Sequence, residues 1–320
     1  MTRRVWSCRT IPDHASRTLG PDGVAGYRLL SELAHGGTAT VYLAEHCATG
    51  QRVAIKALDA SFVGHSELVH GLLGEHELAR RTRHPGLLDV VAAEQTEHGI
   101  PYLVMELLDG ETLRARIDRR PLSIAAAIAV GAAVAGAVAA LHRAGVIHGD
   151  LKPDNLFVLP AATPAHGSRI KVIDYGVARL VDEPARADGA VVGTPAYMPP
   201  EQWRGAPVPR SDVYALGCTL YELVIGAPPF VGAVPQLLAA HRDRRAPPPR
   251  SHRPELPTEL DALISAALAK AADARPAMAE LEAALARLAD SAGGRTLDDE
   301  LPAGTGAPPA ARAAAREAAG

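Results

Sequence analysis

The sequence predicts an α+β fold made of two lobes, a small β-rich lobe followed by a larger helical lobe. The chain has 320 residues, which is enough for about two lobes with a substantial core. The stretch from Tyr27 to Leu58 contains three short strand-like runs separated by glycine-containing turns. Later stretches predict helices instead, near Thr258–Lys270 and Ala277–Ala289. We expect the small lobe at residues 27–107 and the large lobe at 108–290.

The two ends of the chain differ in composition from the part between them. Residues 1–26 are rich in Arg, Pro and Gly and show no hydrophobic periodicity, whereas residues 291–320 are rich in Ala, Gly and Pro. Such segments contain too little apolar surface to form a packed core. We therefore expect a flexible N-terminal arm and a disordered C-terminal tail.

Charge and cysteine content exclude several classes of protein. Lys and Arg number 33 against 36 for Asp and Glu, giving a net charge of -3, so the basic excess expected of a nucleic-acid-binding protein is missing. The 3 cysteines are far apart and have no metal-ligand spacing, which indicates a reduced, cytoplasmic protein.

One uncharged run, Leu122–Leu141, is long enough to cross a membrane. It is mostly alanine, however, and alanine contributes little to membrane insertion compared with Leu, Ile or Phe. We expect a buried helix of a protein that does not contact a membrane.

The stretch Val146–Asn155, VIHGDLKPDN, presents an acid, Asp150, a base, Lys152, and an amide, Asn155. Phosphoryl transfer needs such groups, because a carboxylate accepts the proton of the attacking hydroxyl, an ammonium neutralises phosphoryl charge and an amide oxygen helps to hold a divalent cation. The stretch resembles the catalytic loop of protein kinases, H-R-D-L-x-x-x-N, with Gly149 in place of the arginine. The lysine that follows the acid is typical of the serine/threonine branch.

The turn between the first two predicted strands resembles the glycine-rich loop of kinases, G-x-G-x-x-G-x-V, although Ala34 and Ala39 stand at the first and third glycine positions. Glycine there lets backbone amides approach phosphate oxygens. The third strand carries Val53-Ala54-Ile55-Lys56, which matches V-A-I-K. The resemblance implies that Lys56 contacts the α and β phosphates of ATP.

A lysine within an apolar strand also needs an anionic protein partner. Glu75 and Glu77 both lie on the helix predicted at Ser66–Arg83, and Glu75 shares the apolar face of that helix with Leu72. We therefore expect Glu75 to pair with Lys56.

The stretch Tyr102–Gly110 resembles the last strand of the small lobe and the hinge that follows it, with Met105 as the gatekeeper residue. Backbone groups of 106–108 would then meet the edge of the adenine. Taken together, the resemblance implies an ATP site that includes Leu33, Ala34, His35, Gly36, Gly37, Thr38, Ala39, Val41, Ala54, Lys56, Glu75, Met105, Glu106, Leu108 and Leu156.

Asp174-Tyr175-Gly176 follows a predicted strand pair, 156–159 and 169–173, and resembles the D-F-G motif with tyrosine for phenylalanine. A carboxylate after a buried strand suits Mg²⁺, a hard cation that prefers oxygen ligands. The resemblance implies that Asn155 and Asp174 bind the metal and that the cofactors are ATP and Mg²⁺.

Three further expectations follow from the same resemblance. Gly193–Glu201 matches the loop that binds the peptide substrate, and the hydroxyl of its Thr194 should bridge Asp150 and Lys152. Asp212, in a central helix around 211–217, should brace the backbone of the catalytic loop. Arg275 should form a structural ion pair with Glu201.

The implied function is transfer of the γ-phosphoryl group of ATP to Ser or Thr hydroxyls of a protein substrate, with Asp150, Lys152, Asn155 and Thr194 as catalytic residues. The resemblance is to the eukaryotic-like serine/threonine kinases of bacteria and covers about residues 27–290. It does not identify the protein substrate, the activating signal or the oligomeric state.

Two other functions remain open at this point. The altered glycine loop, Tyr175 and Gly149 would also suit a pseudokinase that acts as a binding module. The pattern H-G-D-x-x-x-x-N also resembles aminoglycoside and choline kinases, although Lys152 and the substrate loop favour peptide phosphorylation.

Two features of the sequence bear on regulation. In many protein kinases the arginine before the catalytic acid binds a phosphate on the activation loop and orders that loop. Here that position is Gly149, and the stretch from Tyr175 to Gly193 contains no serine or threonine. We therefore predict a kinase that does not require activation-loop phosphorylation.

Overall fold

The computed structural model describes residues 24–160, 168–175, 178–181 and 192–291. These residues form two compact units. The first holds the described residues up to Arg80 together with Leu88–Asp109, and the second holds Arg81–Leu87 and the described residues from Gly110 onward. The predicted tail after Ser291, most of the predicted arm, and residues 161–167, 176–177 and 182–191 lie outside the described residues.

The first unit is a five-stranded antiparallel sheet with one helix. Strands β1 (Tyr27–His35), β2 (Ala39–His46) and β3 (Arg52–Leu58) precede helix α1 (Ser66–Arg80), and strands β4 (Val90–Gln95) and β5 (Pro101–Glu106) follow it. The order in the sheet is β1-β2-β3-β5-β4. The three predicted N-terminal strands are therefore confirmed. The core of this unit consists largely of apolar residues on one side of the sheet, among them Leu29, Tyr42, Ile55, Tyr102 and Val104.

Helix α1 ends at Arg80 and not at Arg83 as predicted. Pro85 disfavours helical backbone at the residue before it, and residues 81–87 fold with the second unit. The hydrophobic spacing alone could not show that the chain leaves the helix for a different unit.

The second unit is mainly helical. Its helices are α2 (Leu113–Arg119), α3 (Ile124–Arg143), α4 (Pro209–Ile225), α5 (Val234–Asp243), α6 (Thr258–Ala267) and α7 (Met278–Ser291). Short strands β6 (Glu111–Thr112), β8 (Leu156–Val158) and β9 (Ile170–Val172) form a three-stranded sheet, and β7 (Val146–Ile147) pairs with β10 (Arg179–Leu180). The predicted pairing of 156–159 with 169–173 is confirmed by the β8–β9 register.

Residues 81–87 extend the small sheet of the second unit by pairing with strand β9. Leu87 pairs in parallel with Val172 of β9. The N–H of Val172 donates to the carbonyl oxygen of Gly86 at 2.8 Å, and the buried ammonium of Lys171 donates to the carbonyl oxygen of Leu87 at 3.1 Å. A short segment from between two elements of the first unit thus supplies backbone partners to β9.

Helix α3 contains the apolar run that the sequence singles out. It begins after Ser123, whose hydroxyl accepts from the N–H of Ala126 at 3.1 Å. By length and composition it could cross a membrane, but 72% of its most apolar window is buried inside the structure. A Cβ on Gly131 would lie 2.6 Å from Leu220 of α4, and one on Gly136 would lie 2.9 Å from Glu282 of α7. The small residues of α3 therefore let these two helices pack closely against it.

Candidate active site

The predicted site residues fall into two groups, one in each unit. The first group centres on Lys56 of β3, whose ammonium donates to both carboxylate oxygens of Glu75 at 2.8 and 3.0 Å. The Glu75 side chain is only 5% exposed, whereas Glu77 is exposed. The predicted choice of Glu75 over Glu77 is confirmed. The ion pair fixes the position of the Lys56 ammonium, which is the group predicted to bind phosphates.

The strand register gathers several predicted ATP-binding residues on one face of the sheet. Val41 lies opposite Lys56, Ala54 lies opposite Met105, and directly opposed residues point to the same face. Ala54 and Lys56 share that face because side chains alternate along a strand. The structure thus brings together an apolar surface and the lysine that sits at its end, as an adenine base followed by phosphates would require.

The glycine-rich turn joins β1 to β2. The N–H of Gly36 donates to the carbonyl oxygen of Ala39 at 2.9 Å, and His35 is hydrogen-bonded through Nδ1 to the hydroxyl of Thr40 at 2.9 Å. Thr40 is buried and donates to Asp59 at 3.1 Å. The base of the turn is therefore tied to the end of β3, while the remaining predicted residues of the turn, Ala34, Gly37 and Thr38, are exposed.

Fewer backbone groups of the predicted hinge can bind adenine than the sequence alone indicates. The N–H of Glu106 donates to the carbonyl oxygen of Asp89 at 3.0 Å, and the carboxylate of Glu106 accepts from the N–H of Asp89 at 2.8 Å. A contact with the adenine edge would therefore use other backbone groups within 106–108.

The second group centres on Asp150 in the loop after β7. Its Oδ2 accepts from the ammonium of Lys152 at 2.8 Å and from the amide of Asn155 at 3.1 Å. Its Oδ1 accepts from the N–H of Thr194 at 2.8 Å, and Lys152 also donates to the Thr194 hydroxyl at 2.5 Å. The predicted contact of the Thr194 hydroxyl with Lys152 is confirmed, but Thr194 reaches Asp150 through its backbone N–H and not through the predicted hydroxyl. The base and the amide both contact the acid.

Asp212 at the start of α4 fixes the backbone of this loop. Its carboxylate accepts from the N–H groups of His148 and Gly149 at 2.9 and 2.8 Å and from the ring of His142 at 2.8 Å. Burial by itself raises the pKa of Asp212, but these donors outweigh burial and lower its pKa. The predicted bracing role is confirmed, because an ionised, fully buried carboxylate holds the residues that precede Asp150.

The two predicted metal ligands are linked through the backbone. The N–H of Ile173, the residue before Asp174, donates to the carbonyl oxygen of Asn155 at 2.9 Å. Asp174 is exposed and has a φ of 67°, whereas its neighbour Tyr175 is buried. Left-handed backbone at a non-glycine residue is uncommon and occurs often at functional sites.

The side chains of Asn155 and Asp174 are suited to bind a magnesium ion. The amide nitrogen of Asn155 donates to the carbonyl and carboxylate oxygens of Asp150, which orients its Oδ1 away from that acid. Among the described residues, no group of three or more His, Cys, Asp or Glu side chains is arranged to hold a metal ion. Magnesium is commonly held by only one or two protein groups, with phosphate oxygens and water completing the shell, so an amide and a carboxylate are sufficient.

Sequence reasoning missed one cluster beneath the substrate loop. Arg114 of α2 donates to Glu222 of α4 at 2.7 Å and to the hydroxyl of Tyr197 at 3.0 Å. Tyr197 in turn donates to Glu222 at 2.6 Å, and burial followed by this hydrogen bond raises the pKa of Tyr197. The only signal in the sequence is an acidic residue inside the otherwise apolar end of α4.

The first unit holds an apolar surface on β2, β3 and β5 beside a paired lysine, and the second holds a carboxylate bound by a lysine and an amide. These are the kinds of group that enzymes of phosphoryl transfer use. A family model described as the protein kinase domain matches residues 27–284. The chain therefore belongs to the protein kinase family.

The similar proteins are bacterial serine/threonine-protein kinases, as the resemblance implied. Pkn1 of Myxococcus xanthus is 39% identical over 249 residues, which cover 76% of this chain and 35% of Pkn1. PknB of Mycolicibacterium smegmatis is 36% identical over 303 residues, covering 90% of this chain and 48% of that protein. PknB of Mycobacterium tuberculosis H37Rv is 38% identical over 272 residues, covering 82% and 42%. This chain thus spans less than half the length of these relatives.

The ion pair in the first unit leads to a prediction with a matched control. Lys56→Met is expected to lower kcat/KM for ATP by about 100-fold or more, because the preorganised cation that would face the phosphates is lost. Glu75→Gln should lower it by about tenfold, since Lys56 keeps a hydrogen-bond partner but loses the charge that fixes it. Steady-state kinetics with varied ATP would measure both effects. Glu77→Gln, an exposed change on the same helix, should have no effect, and equal losses in the two glutamine variants would contradict the assignment.

Proposed function

We propose that this chain is a serine/threonine protein kinase that transfers the γ-phosphoryl group of ATP to Ser or Thr hydroxyls of a protein substrate. The observation that carries the proposal is the arrangement at Asp150, whose two carboxylate oxygens are held by Lys152, Asn155 and the N–H of Thr194. The names of the related bacterial kinases support the same reaction. We also propose that the protein works in a reduced, cytoplasmic compartment, because its 3 cysteines are far apart in the sequence and have no metal-ligand spacing.

The residues of the loop divide the chemical work. Asp150 would accept a hydrogen bond from the substrate hydroxyl and take its proton as the oxygen attacks. Lys152, which is 20% exposed, can reach the transferred group and stabilise its charge while it remains oriented by Asp150. Thr194 fixes the distance between the substrate loop and the acid. When bound, ATP supplies the phosphoryl group and Mg²⁺ neutralises phosphate charge, with Asn155 and Asp174 as the residues that would hold the metal and Lys56 the phosphates.

We further propose that the kinase does not require phosphorylation of its activation segment. Gly149 offers no cation to a phosphate, and the stretch 175–193 contains no serine or threonine. Its hydroxyl-bearing residue, Tyr175, is 2% exposed and therefore a poor acceptor. The unmodified chain would then already hold Thr194 against Asp150 and Lys152.

Phosphatase treatment of the purified protein tests both parts of this proposal. We expect transfer of labelled γ-phosphate from ATP to Ser and Thr of a basic acceptor protein in the presence of magnesium, at the same rate before and after treatment. Mass spectrometry should find no stoichiometric phosphate on 175–193 after autophosphorylation. Activity that is lost on treatment would overturn the independence from phosphorylation. Nucleotide binding without any transfer would overturn the kinase assignment in favour of a binding module.

A further inference from the structure

Gln202 follows Glu201, the last residue of the predicted substrate loop, and its side chain is buried, with a relative exposure of 6%. Its amide nitrogen donates to the carbonyl oxygen of Gly149 at 2.7 Å and to the carbonyl oxygen of Val192 at 2.8 Å. Both partners are acceptors, so the NH₂ group must face them, because the amide oxygen in that position would be repelled by both carbonyls. One neutral side chain thus uses both of its N–H donors to join two separate backbone segments.

The two segments that Gln202 joins lie directly beside the catalytic groups. Gly149 precedes Asp150, and its own N–H is held by Asp212 at 2.8 Å. Val192 is followed by Gly193 and Thr194, and Thr194 donates its N–H to Asp150. Gln202 therefore connects the end of the activation segment to the catalytic loop at the point where the base is presented.

Two glycines, Gly193 and Gly149, leave room for the Gln202 side chain. Gly193 has a φ of 129°, and a Cβ on it would lie 2.6 Å from Nε2 of Gln202 and 3.3 Å from the carbonyl oxygen of Gly149. Gly149 has a φ of 79°. Side chains are strongly disfavoured in both conformations, so two glycines permit the contact that the glutamine makes.

We propose that Gln202 is a positioning residue that holds Val192, near the end of the stretch 175–193, on the catalytic loop, in place of a phosphate–arginine contact. In kinases that are switched by activation-loop phosphorylation, a charged pair orders this segment. Here a neutral amide forms the connection with backbone carbonyls, so it exists in the unmodified chain. This inference rests on the proposed function, since it explains how Thr194 is held against Asp150 without a phosphate.

Gln202→Met tests the inference, because methionine keeps the length of the side chain but has no donor. We expect kcat for acceptor phosphorylation to fall by about tenfold or more, since two buried hydrogen bonds that position the base are lost, while KM for ATP stays unchanged. Gln236→Met on α5 is the matched control. Its amide oxygen accepts from the N–H of Ala233 at 3.0 Å, far in sequence from the catalytic loop, and its loss should leave kcat unchanged.

Gln202→Glu adds a readout that a purely structural role would not move. When ionised, the glutamate places a charge beside two carbonyl oxygens, and when protonated it can donate to one of them. Burial raises the pKa of such a carboxyl. The activity of this variant relative to the unmodified sequence should therefore rise as the pH falls from 8 to about 6, and the rise should be seen in kcat.

The outcomes separate this inference from the proposed function. If kcat of Gln202→Met equals that of Gln236→Met while the starting protein keeps its activity after phosphatase treatment, the positioning role of Gln202 is wrong and the proposed function stands. If phosphatase treatment removes the activity of the starting protein, the proposed independence from phosphorylation is wrong and the substitute role of Gln202 is overturned with it, while the kinase assignment stands. A ratio of activities for Gln202→Glu that does not change with pH would also overturn the inference, even if Gln202→Met proves too unstable to assay.

Discussion

Asp150→Asn is expected to reduce the rate of phosphoryl transfer by about 10³-fold. The substitution keeps the shape of the side chain but removes the proton acceptor. It also places an NH₂ group among three donors, because Lys152, Asn155 and the N–H of Thr194 all point at the present carboxylate. The loss should appear in kcat, measured with labelled ATP and a basic acceptor protein, and nucleotide affinity should change little.

Asp243→Asn is the matched control for this variant. Asp243 lies at the end of α5, where its side chain is 57% exposed and pairs with Arg242, and an exposed pair of this kind contributes little to stability. We expect the activity of Asp243→Asn to match that of the starting protein. A similar kcat for Asp150→Asn and Asp243→Asn would remove Asp150 from the mechanism.

Arg275→Met is expected to destabilise the second unit by about 3–5 kcal/mol, the usual cost of removing one partner of a buried ion pair. The Arg275 side chain is 0% exposed and its Nη1 lies 2.6 Å from Oε1 of Glu201, which confirms the predicted pair. It also donates to the carbonyl oxygens of Ala269, Arg210 and Lys270. Loss of these contacts should lower the midpoint of urea unfolding and lower Tm by on the order of 10 °C.

The pH dependence of this loss follows from Glu201. Burial by itself raises the pKa of Glu201, but the hydrogen bond and charge of Arg275 outweigh burial, so that the pKa lies below its ordinary value. The pair therefore stabilises the fold above the unfolded-state pKa and loses that effect as the pH falls through the lower folded-state value. In Arg275→Met the unpaired Glu201 has a raised pKa instead. The stability difference should be largest near neutral pH and smaller near pH 4, about the ordinary pKa of a glutamate.

A double variant completes the test of the ion pair. Glu201→Gln combined with Arg275→Met should be more stable than Arg275→Met alone, because no unpaired charge remains buried. Urea unfolding of the single and double variants gives the coupling energy directly. A double variant that is destabilised by the full sum of the two single changes would show that Arg275 and Glu201 act independently.

Contacts between charged residues could be predicted from the sequence. Lys56 lies in an apolar strand, where its burial without an anionic partner would be costly, and Glu75 lies on the apolar face of the following helix. The Arg275–Glu201 pair and the bracing of the catalytic loop by Asp212 were instead implied by the resemblance to protein kinases. Strands β1, β2 and β3 could also be predicted, because their apolar pattern and the glycine turns between them are local features of the sequence.

Neutral and short features could not be predicted in this way. Gln202 carries no charge and bonds to backbone carbonyls, which every residue possesses, so its amino-acid type gives no sign of its partners. Helix α2 is short and depends on Thr112, whose hydroxyl accepts from the N–H of Ala115 at 3.2 Å and caps its first turn. Helix α5 and strand β4 were also missed, since exposed or mixed residues weaken the periodicity on which such predictions depend.

The seven residues from Arg81 to Leu87 determine where this gene can be divided. They lie in the sequence between helix α1 and strand β4 of the first unit, yet they fold with the second. A fragment that begins at Gly110 would lack the carbonyl oxygens of Gly86 and Leu87, which accept from Val172 and Lys171. A fragment that ends at Asp109 would carry those groups without their donors. Split-protein reporters or separate expression of the lobes should therefore use a circularly permuted gene that keeps 81–87 with the helical fragment.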